Sequence, residues 1–241
     1  MKTLLERLFR QCVGIFNRRI LRTSTDSYNV LVLANFMAAM DSANYYNESM
    51  SSASDCEDNL ELLTRAMKLR SIDDLILEFG VASGKTINHL ASLTTQIVYG
   101  FDVFSGLPAD WRTGFSKGLF AQEVPETVIN AELVVGLFEE TLDKFVSRTS
   151  AEAVSFLHVD CDLYSSTATI FRHLEDRIVP GTVIVFDEYF NYPGWRHHEY
   201  KAFQEFCWRK GIAYRYDSFV PSHQQVCVVI EKVNGPRPDP A

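Results

Sequence analysis

From Asp74 onward, short apolar runs rich in Val, Ile and Phe alternate with amphipathic stretches of helical period. The runs fall at 74–79, 97–102, 131–135, 154–160, 182–187, 212–217 and 225–231. Helical stretches are read from 84, near 140–147, over 166–176 and over 198–210. Near-continuous apolar runs suit strands covered on both faces, and strand–helix alternation implies a parallel sheet between two helical layers. The expectation is an α/β fold with a seven-stranded sheet, mostly parallel. Only about seven residues separate the last two runs, too few for a helical crossover, so the final strand is expected to be antiparallel.

Upstream, Leu4, Leu5, Leu8, Phe9, Cys12, Val13 and Phe16 recur at helical spacing, with arginines mostly opposite. Residues 30–40 continue as helix, 41–58 read as a polar linker or loop, and 59–68 form a helix leading into the sheet. Residues 1–58 are thus a helical extension, 59–233 the main domain and the Pro-rich 234–241 a disordered tail. One segment departs from the short-loop habit of compact folds. Residues 103–130 carry Phe104, Gly106, Pro108, Trp111, Phe115 and Phe120 with little periodicity, as a functional lid or binding loop would.

The 241 residues, 46% of them hydrophobic, suffice for one large domain with its own core. A formal charge of -8 argues against a general nucleic-acid binder. Residues 1–22 run against that balance: six basic side chains face Glu6 alone, a local +5 that leaves -13 for the rest. The partner expected is a small molecule, with a homo-oligomer formed through the N-terminal helices as a further expectation. Five cysteines without a C-x-x-C spacing argue against a disulfide framework and for a reducing cytoplasm. No apolar stretch approaches the ~18 residues of a membrane span, and no signal-peptide core forms. Stable membrane insertion is not expected.

The candidate chemistry lies at the strand ends. Asp160-Cys161-Asp162 closes one apolar run and Asp187-Glu188 another, and open α/β sheets bind ligands beyond the carboxyl ends of their strands. Carboxylates gathered there repel unless a divalent metal, a sulfonium or another cation sits among them. Gly80-Val81-Ala82-Ser83-Gly84 turns from strand to helix, where glycines permit close backbone approach and the helix offers free N–H groups. Ala82 stands where a dinucleotide fingerprint needs its central glycine. A Walker-A loop needs four residues between its glycines, and this turn has three. Asp102 ends the next strand 22 positions after Gly80, the spacing of ribose-binding acids in nucleotide folds, which lie about 20 residues on.

With these motifs in order, the chain resembles class I S-adenosylmethionine-dependent methyltransferases, and within them the macrocin O-methyltransferase group. The residues that carry the resemblance are Glu78-Phe79-Gly80-x-x-x-Gly84, Phe101-Asp102-x-Phe104-x-Gly106-Leu107-Pro108 and Gly136-x-Phe138-x-x-Thr141-Leu142. His158-Val159-Asp160-x-Asp162-Leu163-Tyr164-x-Ser166 and Phe186-Asp187-Glu188-Tyr189 complete them. The resemblance covers about residues 60–230 and implies a Rossmann-like fold. It implies that Glu78, Phe79, Gly80, Ser83 and Gly84 form the first S-adenosylmethionine loop and that Asp102 holds the ribose. Phe104 and Ser105 would line the same wall, and Gly136 with Phe138 would flank the adenine. Asp160, Asp187 and Glu188 match the family's metal triad, with Mg²⁺ as the ion. Related enzymes carry Asp-Asp or Asp-Asn where this chain has Asp187-Glu188.

The expected function is metal-assisted O-methylation of a hydroxyl on a sugar, polyketide or phenolic small molecule. Asp160 or Asp162 would take the acceptor proton, and His198, beside His197, is the imidazole candidate for that role. Two alternatives stand against this reading. A phosphatase of the haloacid dehalogenase type would use Asp160-x-Asp162, but it leaves the glycine turn and Asp102 unexplained. A cofactor-binding partner subunit without turnover would keep the same residues.

Overall fold

A computed structural model of the chain describes residues 27–149 and 152–235. The sheet is built on five parallel strands: β2 (Leu75–Phe79), β3 (Val98–Asp102), β4 (Ala131–Val135), β5 (Val154–Val159) and β6 (Val183–Phe186). β7 (Ile212–Phe219) and β8 (Val226–Val233) follow, and β8 runs antiparallel to both of its neighbours, β6 and β7. An eighth, two-residue strand, β1 (Ser54–Asp55), pairs parallel with β7 at the edge. The expected count of seven is corrected by this short pairing, which carries no apolar pattern to announce it.

Across the sheet the order is β1-β7-β8-β6-β5-β2-β3-β4. The chain builds outward from β2 to β4, then returns to lay β5 on the other side of β2. That reversal makes the β2–β5 junction the topological switch point, where open sheets form their ligand crevice.

Alternation along the strands separates two cores. Leu75, Leu77 and Phe79 of β2, Leu157 of β5 and Ile184 of β6 face one layer. Against them pack α4 (Phe138–Arg148), α5 (Tyr164–Leu174) and α6 (Glu199–Lys210). Ile76, Phe156, Val183 and Val185 face the other layer, made by α2 (Asn59–Lys68) and α3 (Lys85–Ser92). Every residue of β2, β5 and β6 is buried, which is why these strands read as unbroken apolar runs.

The polar linker expected over 41–58 is mostly helical. α1 (Val30–Tyr45) continues into a π-helical turn at Tyr46–Met50. Ala38, Ser42 and Tyr45, spaced by four and three residues, form its buried stripe. Tyr45 packs edge-on against Trp195 and Tyr200, and the Asn191 N–H donates to Ser42 Oγ at 2.8 Å. Composition hid this stripe because its members are small or hydroxylated.

The amphipathic helix expected within residues 4–16 lies outside the described residues, as does the tail from 236. Among the described residues Cys56, Cys161, Cys207 and Cys227 are free and buried. No helix among them is long and apolar enough to cross a membrane.

Asp217 on β7 ties two elements together. Arg65 Nε of α2 donates to its Oδ2 at 2.8 Å and Arg215 Nη1 to its Oδ1 at 2.7 Å. Burial alone would raise this carboxyl, but the two guanidinium bonds outweigh it and hold its pKa below the usual range. A depressed carboxylate stabilises the fold fully above its unfolded value of about 3.9, and that contribution fades as pH falls through the folded value. Asp217→Asn should therefore cost about 1–2 kcal/mol in urea unfolding at pH 7, since both arginines stay half in water. The difference from wild type should be constant above about pH 5 and shrink below about pH 4.

Candidate active site

Gly80 places the end of β2 against the end of β5. Its φ is +96°, and a Cβ there would lie 1.6 Å from the Asp160 carbonyl oxygen. The contact is framed by two backbone bonds: Asp160 N–H to Phe79 O at 2.8 Å and Gly80 N–H to Phe101 O at 2.9 Å. The turn then closes from Gly84 N–H to Val81 O at 2.9 Å, and Gly84, at φ +78°, caps α3. Asp102, at the end of β3, is locked onto the same turn. Its Oδ2 accepts from the Val81 and Ala82 N–H groups at 2.9 Å each, and its Oδ1 from Phe104 N–H at 2.8 Å.

These ends open into one cavity of about 350 Å³. Gly80, Ala82 and Asp102 form one side, Gly136 and Phe138 another, and Asp160, Asp162 and Glu188 the acidic end. The segment 103–130 supplies the cover through Leu107, Trp111, Arg112, Phe115 and Phe120. It is folded on itself: Leu107 N–H donates to Leu119 O and Gly118 N–H to Leu107 O, both at 2.9 Å. Gly106 makes that closure possible, since a Cβ there would come within 2.4 Å of Gly118 O. The Arg112 guanidinium lies 3.9 Å from the Trp111 ring centroid, 4.5 Å from Tyr192 and 4.6 Å from Phe115.

Electrostatics at the acidic end are dominated by burial. Burial, with Asp187 nearby, pushes Asp160 well above the ordinary carboxyl range. Burial also raises Asp162 to about 7, against the pull of Arg112 and with repulsion from Asp187. Glu188 and Glu199 are raised by burial too. Asp187 goes the other way. Burial opposes its charge, but His158, Gln225 and the Glu188 side outweigh burial and lower it. His158 is buried, which disfavours its charge, yet Asp187 and Glu78 raise it to about 10. Its Nδ1 is 2.8 Å from Glu78 Oε1 and its Nε2 is 3.9 Å from Asp187 Oδ1.

Comparison with known proteins agrees with this arrangement. Residues 77–189 match a family described as a methyltransferase domain. The fold is similar to CalS11, a calicheamicin methyltransferase, with a TM-score of 0.56 at 18% identity over 91% of this chain and 90% of that one. It is also similar to the O-methyltransferase NovP, with a TM-score of 0.54 at 18% identity over 72% and 79% of the two chains. No curated protein matches the chain in sequence. The chain thus has the Rossmann-like fold of solved methyltransferases, with a methyltransferase-domain match over residues 77–189. The glycine turn, Asp102 and the strand-end carboxylates share a single crevice, and nothing in the comparisons supports the phosphatase alternative.

The sequence-expected residues fall into two groups. Gly80, Asp102, Gly136, Phe138, Asp160 and Glu188 line the cavity. Glu78 and Phe79 stand behind its wall, fully buried. Glu78 turns toward His158, and Phe79 stacks on Phe101 at 4.5 Å. Strand alternation explains this, because both precede the turn and point into the sheet's two faces. Phe104, at φ +54°, is buried in the core that contains α2 and α3, whereas Ser83 and Ser105 are exposed. Gly84 acts as the helix cap.

Asp187 sits just behind the acidic end, where Asn59 Nδ2 donates to Oδ1 at 2.9 Å and Gln225 Nε2 to Oδ2 at 3.0 Å. His198 packs 6.1 Å from both Trp111 and Tyr192, between centroids, and is not part of the cavity wall. Two participants escaped the sequence reading. Arg112 carried no motif, and Glu199, fully buried with Oε2 accepting the Glu188 N–H at 3.1 Å, resembled an ordinary helix-start acid.

Gly80→Ala should be the most damaging small substitution at this edge, since the atom it meets is backbone and cannot swing aside. We expect a loss of about 2 kcal/mol or more in urea unfolding. Gly114→Ala, with no atom within 4 Å of the added Cβ, should cost less because only the positive φ opposes it.

Proposed function

We propose that this chain is an S-adenosylmethionine-dependent methyltransferase that transfers the methyl group to a hydroxyl oxygen of a small molecule, with a divalent cation held at the acidic end. The observation that carries this reading is the shared cavity: the nucleoside-side residues and the strand-end carboxylates line one space. A volume of about 350 Å³ lies within the range of small-molecule sites. The similar structures NovP and CalS11 are O-methyltransferases by name, which supports oxygen as the acceptor atom.

Asp102 is held by three backbone N–H groups and keeps further lone pairs for the ribose hydroxyls. Gly80 and Ala82 allow close approach of the methionine part, and Gly136 with Phe138 suits the adenine. The acceptor oxygen forms its new C–O bond as the S–CH₃ bond breaks, and that electron pair stays on sulfur. The acceptor proton leaves to the carboxylates that line this end, Asp160 and Asp162. Holding donor and acceptor in line can supply up to about 7–11 kcal/mol of the barrier. Trp111, Phe115 and Phe120 exclude water from the reacting atoms.

The donor set fits a cation. Asp160 and Asp187 converge, and Glu188 keeps a buried Oε2 without a hydrogen-bond partner. When bound, the ion would lower the acceptor's pKa and fix its position. The acceptor classes we favour are sugar, polyketide or phenolic hydroxyls, for which the aromatic cover offers a flat apolar surface.

Calorimetry with S-adenosylhomocysteine tests the first half, and absence of binding would end the proposal. Asp102→Ala should weaken that binding about 10- to 100-fold, as expected for lost bonds to a charged group. Asp160→Ala should leave it largely intact while removing any stimulation of methyl transfer by added divalent ions. Equal loss of both properties in Asp160→Ala would show that cofactor and ion sites are not divided in this way.

A further inference from the structure

The acidic end contains a nitrogen that the oxygen-only triad does not use. His158 lies on β5 opposite Glu78 of β2 and Val185 of β6 in the strand register. Both His158 and Glu78 are fully buried. With Glu78 Oε1 accepting at 2.8 Å, a neutral ring would hold its proton on Nδ1 and present Nε2 as the ligand atom. That nitrogen is buried with no hydrogen-bond partner. Its neighbour, Asp187 Oδ1, is 3.9 Å away, too far for a hydrogen bond. The distance instead suits two ligands of one ion, each roughly 2.1 Å from it, which can be up to about 4.2 Å apart.

Resting on the metal reading above, we infer that His158 Nε2 is a ligand of the cation together with Asp160 and Asp187, and that Glu78 is the carboxylate that orients it. One ligand atom from each of these three residues lies within 4.8 Å of the others. The cluster among the described residues contains His158 and not Glu188. Metal-bound histidines characteristically give their second ring proton to a carboxylate, which fixes the tautomer and strengthens the ligand. Asp187 is braced in the same manner by Asn59 and Gln225. A set of one imidazole and two carboxylates favours Mn²⁺, Fe²⁺, Co²⁺ or Zn²⁺ over Mg²⁺, which prefers oxygen and its own waters.

The experiment uses the full chain, Mn²⁺ as probe and pulsed electron paramagnetic resonance. Wild type should bind Mn²⁺ with imidazole nitrogen modulation that changes isotope pattern when its histidines carry ¹⁵N. His158→Gln should lose that modulation and bind at least tenfold more weakly. Glu78→Gln should keep it while weakening binding about tenfold, the usual lower effect of losing an outer partner. Bound Mn²⁺ with no nitrogen modulation in wild type would overturn the assignment and leave an oxygen set. The labelled wild type decides the matter even where His158→Gln does not fold. Failure of wild type to bind Mn²⁺ at millimolar concentration would overturn the metal reading itself, a result distinct from oxygen-only binding.

Discussion

The ends of β2 and β5 touch through bare backbone, and that contact sets the geometry of everything at the sheet's carboxyl edge. A side chain at Gly80 would coincide with the Asp160 carbonyl, so the glycine turn and the strand that delivers the first carboxylate share one surface of the cavity. The Phe79–Asp160 and Phe101–Gly80 hydrogen bonds extend the same constraint to β3. Asp102 then closes it from the far side by accepting from the turn itself. Three strand ends are thereby held as one rigid edge, the kind of preorganisation the proposed in-line transfer would use.

The acidic end is costly by construction. Asp160, Asp162, Glu188 and Glu199 all sit where burial raises a carboxyl, and uncompensated buried charge is strongly unfavourable. His158 and Arg112 are the cations that face this group from within and from the cover. Asp187, bonded by two amides and close to His158, is the one member held ionised. The arrangement is understandable if its stability is secondary to binding a positive centre: the sulfonium, the ion or both. Strain is kept in the same place, with Asp162 at φ +61° and Ala82 at +43°, as functional sites tend to do.

Much of the fold was legible because β2, β5 and β6 are buried on both faces, and a fully buried strand must be written in apolar residues. The antiparallel β7–β8 pair followed from chain length alone. The glycine turn and strand-end acids were legible for a similar reason, since few residue types tolerate their positions. What stayed hidden had no such requirement. α1 runs on to Tyr45 along a stripe of Ala38, Ser42 and Tyr45 that composition disguises. β1 is held by backbone pairing without any apolar demand. Glu78, expected at the ligand, points into the sheet because the pleat, not the motif, decides which way a strand residue faces.

Sequence by itself determined the order of strands and helices, the closing antiparallel pair and the identity of the edge residues. These follow from local preferences and burial patterns that act over a few residues at a time. Only the tertiary structure decided that His158 meets Glu78 and Asp187, that Arg112 lies over Trp111 and Tyr192, and that Glu199 holds the Glu188 backbone. Those pairs are separated by up to 80 positions along the chain. Their meeting depends on the order of strands across the sheet, as distinct from their succession along the chain, and on the fold of a loop without periodicity, neither of which any local pattern encodes.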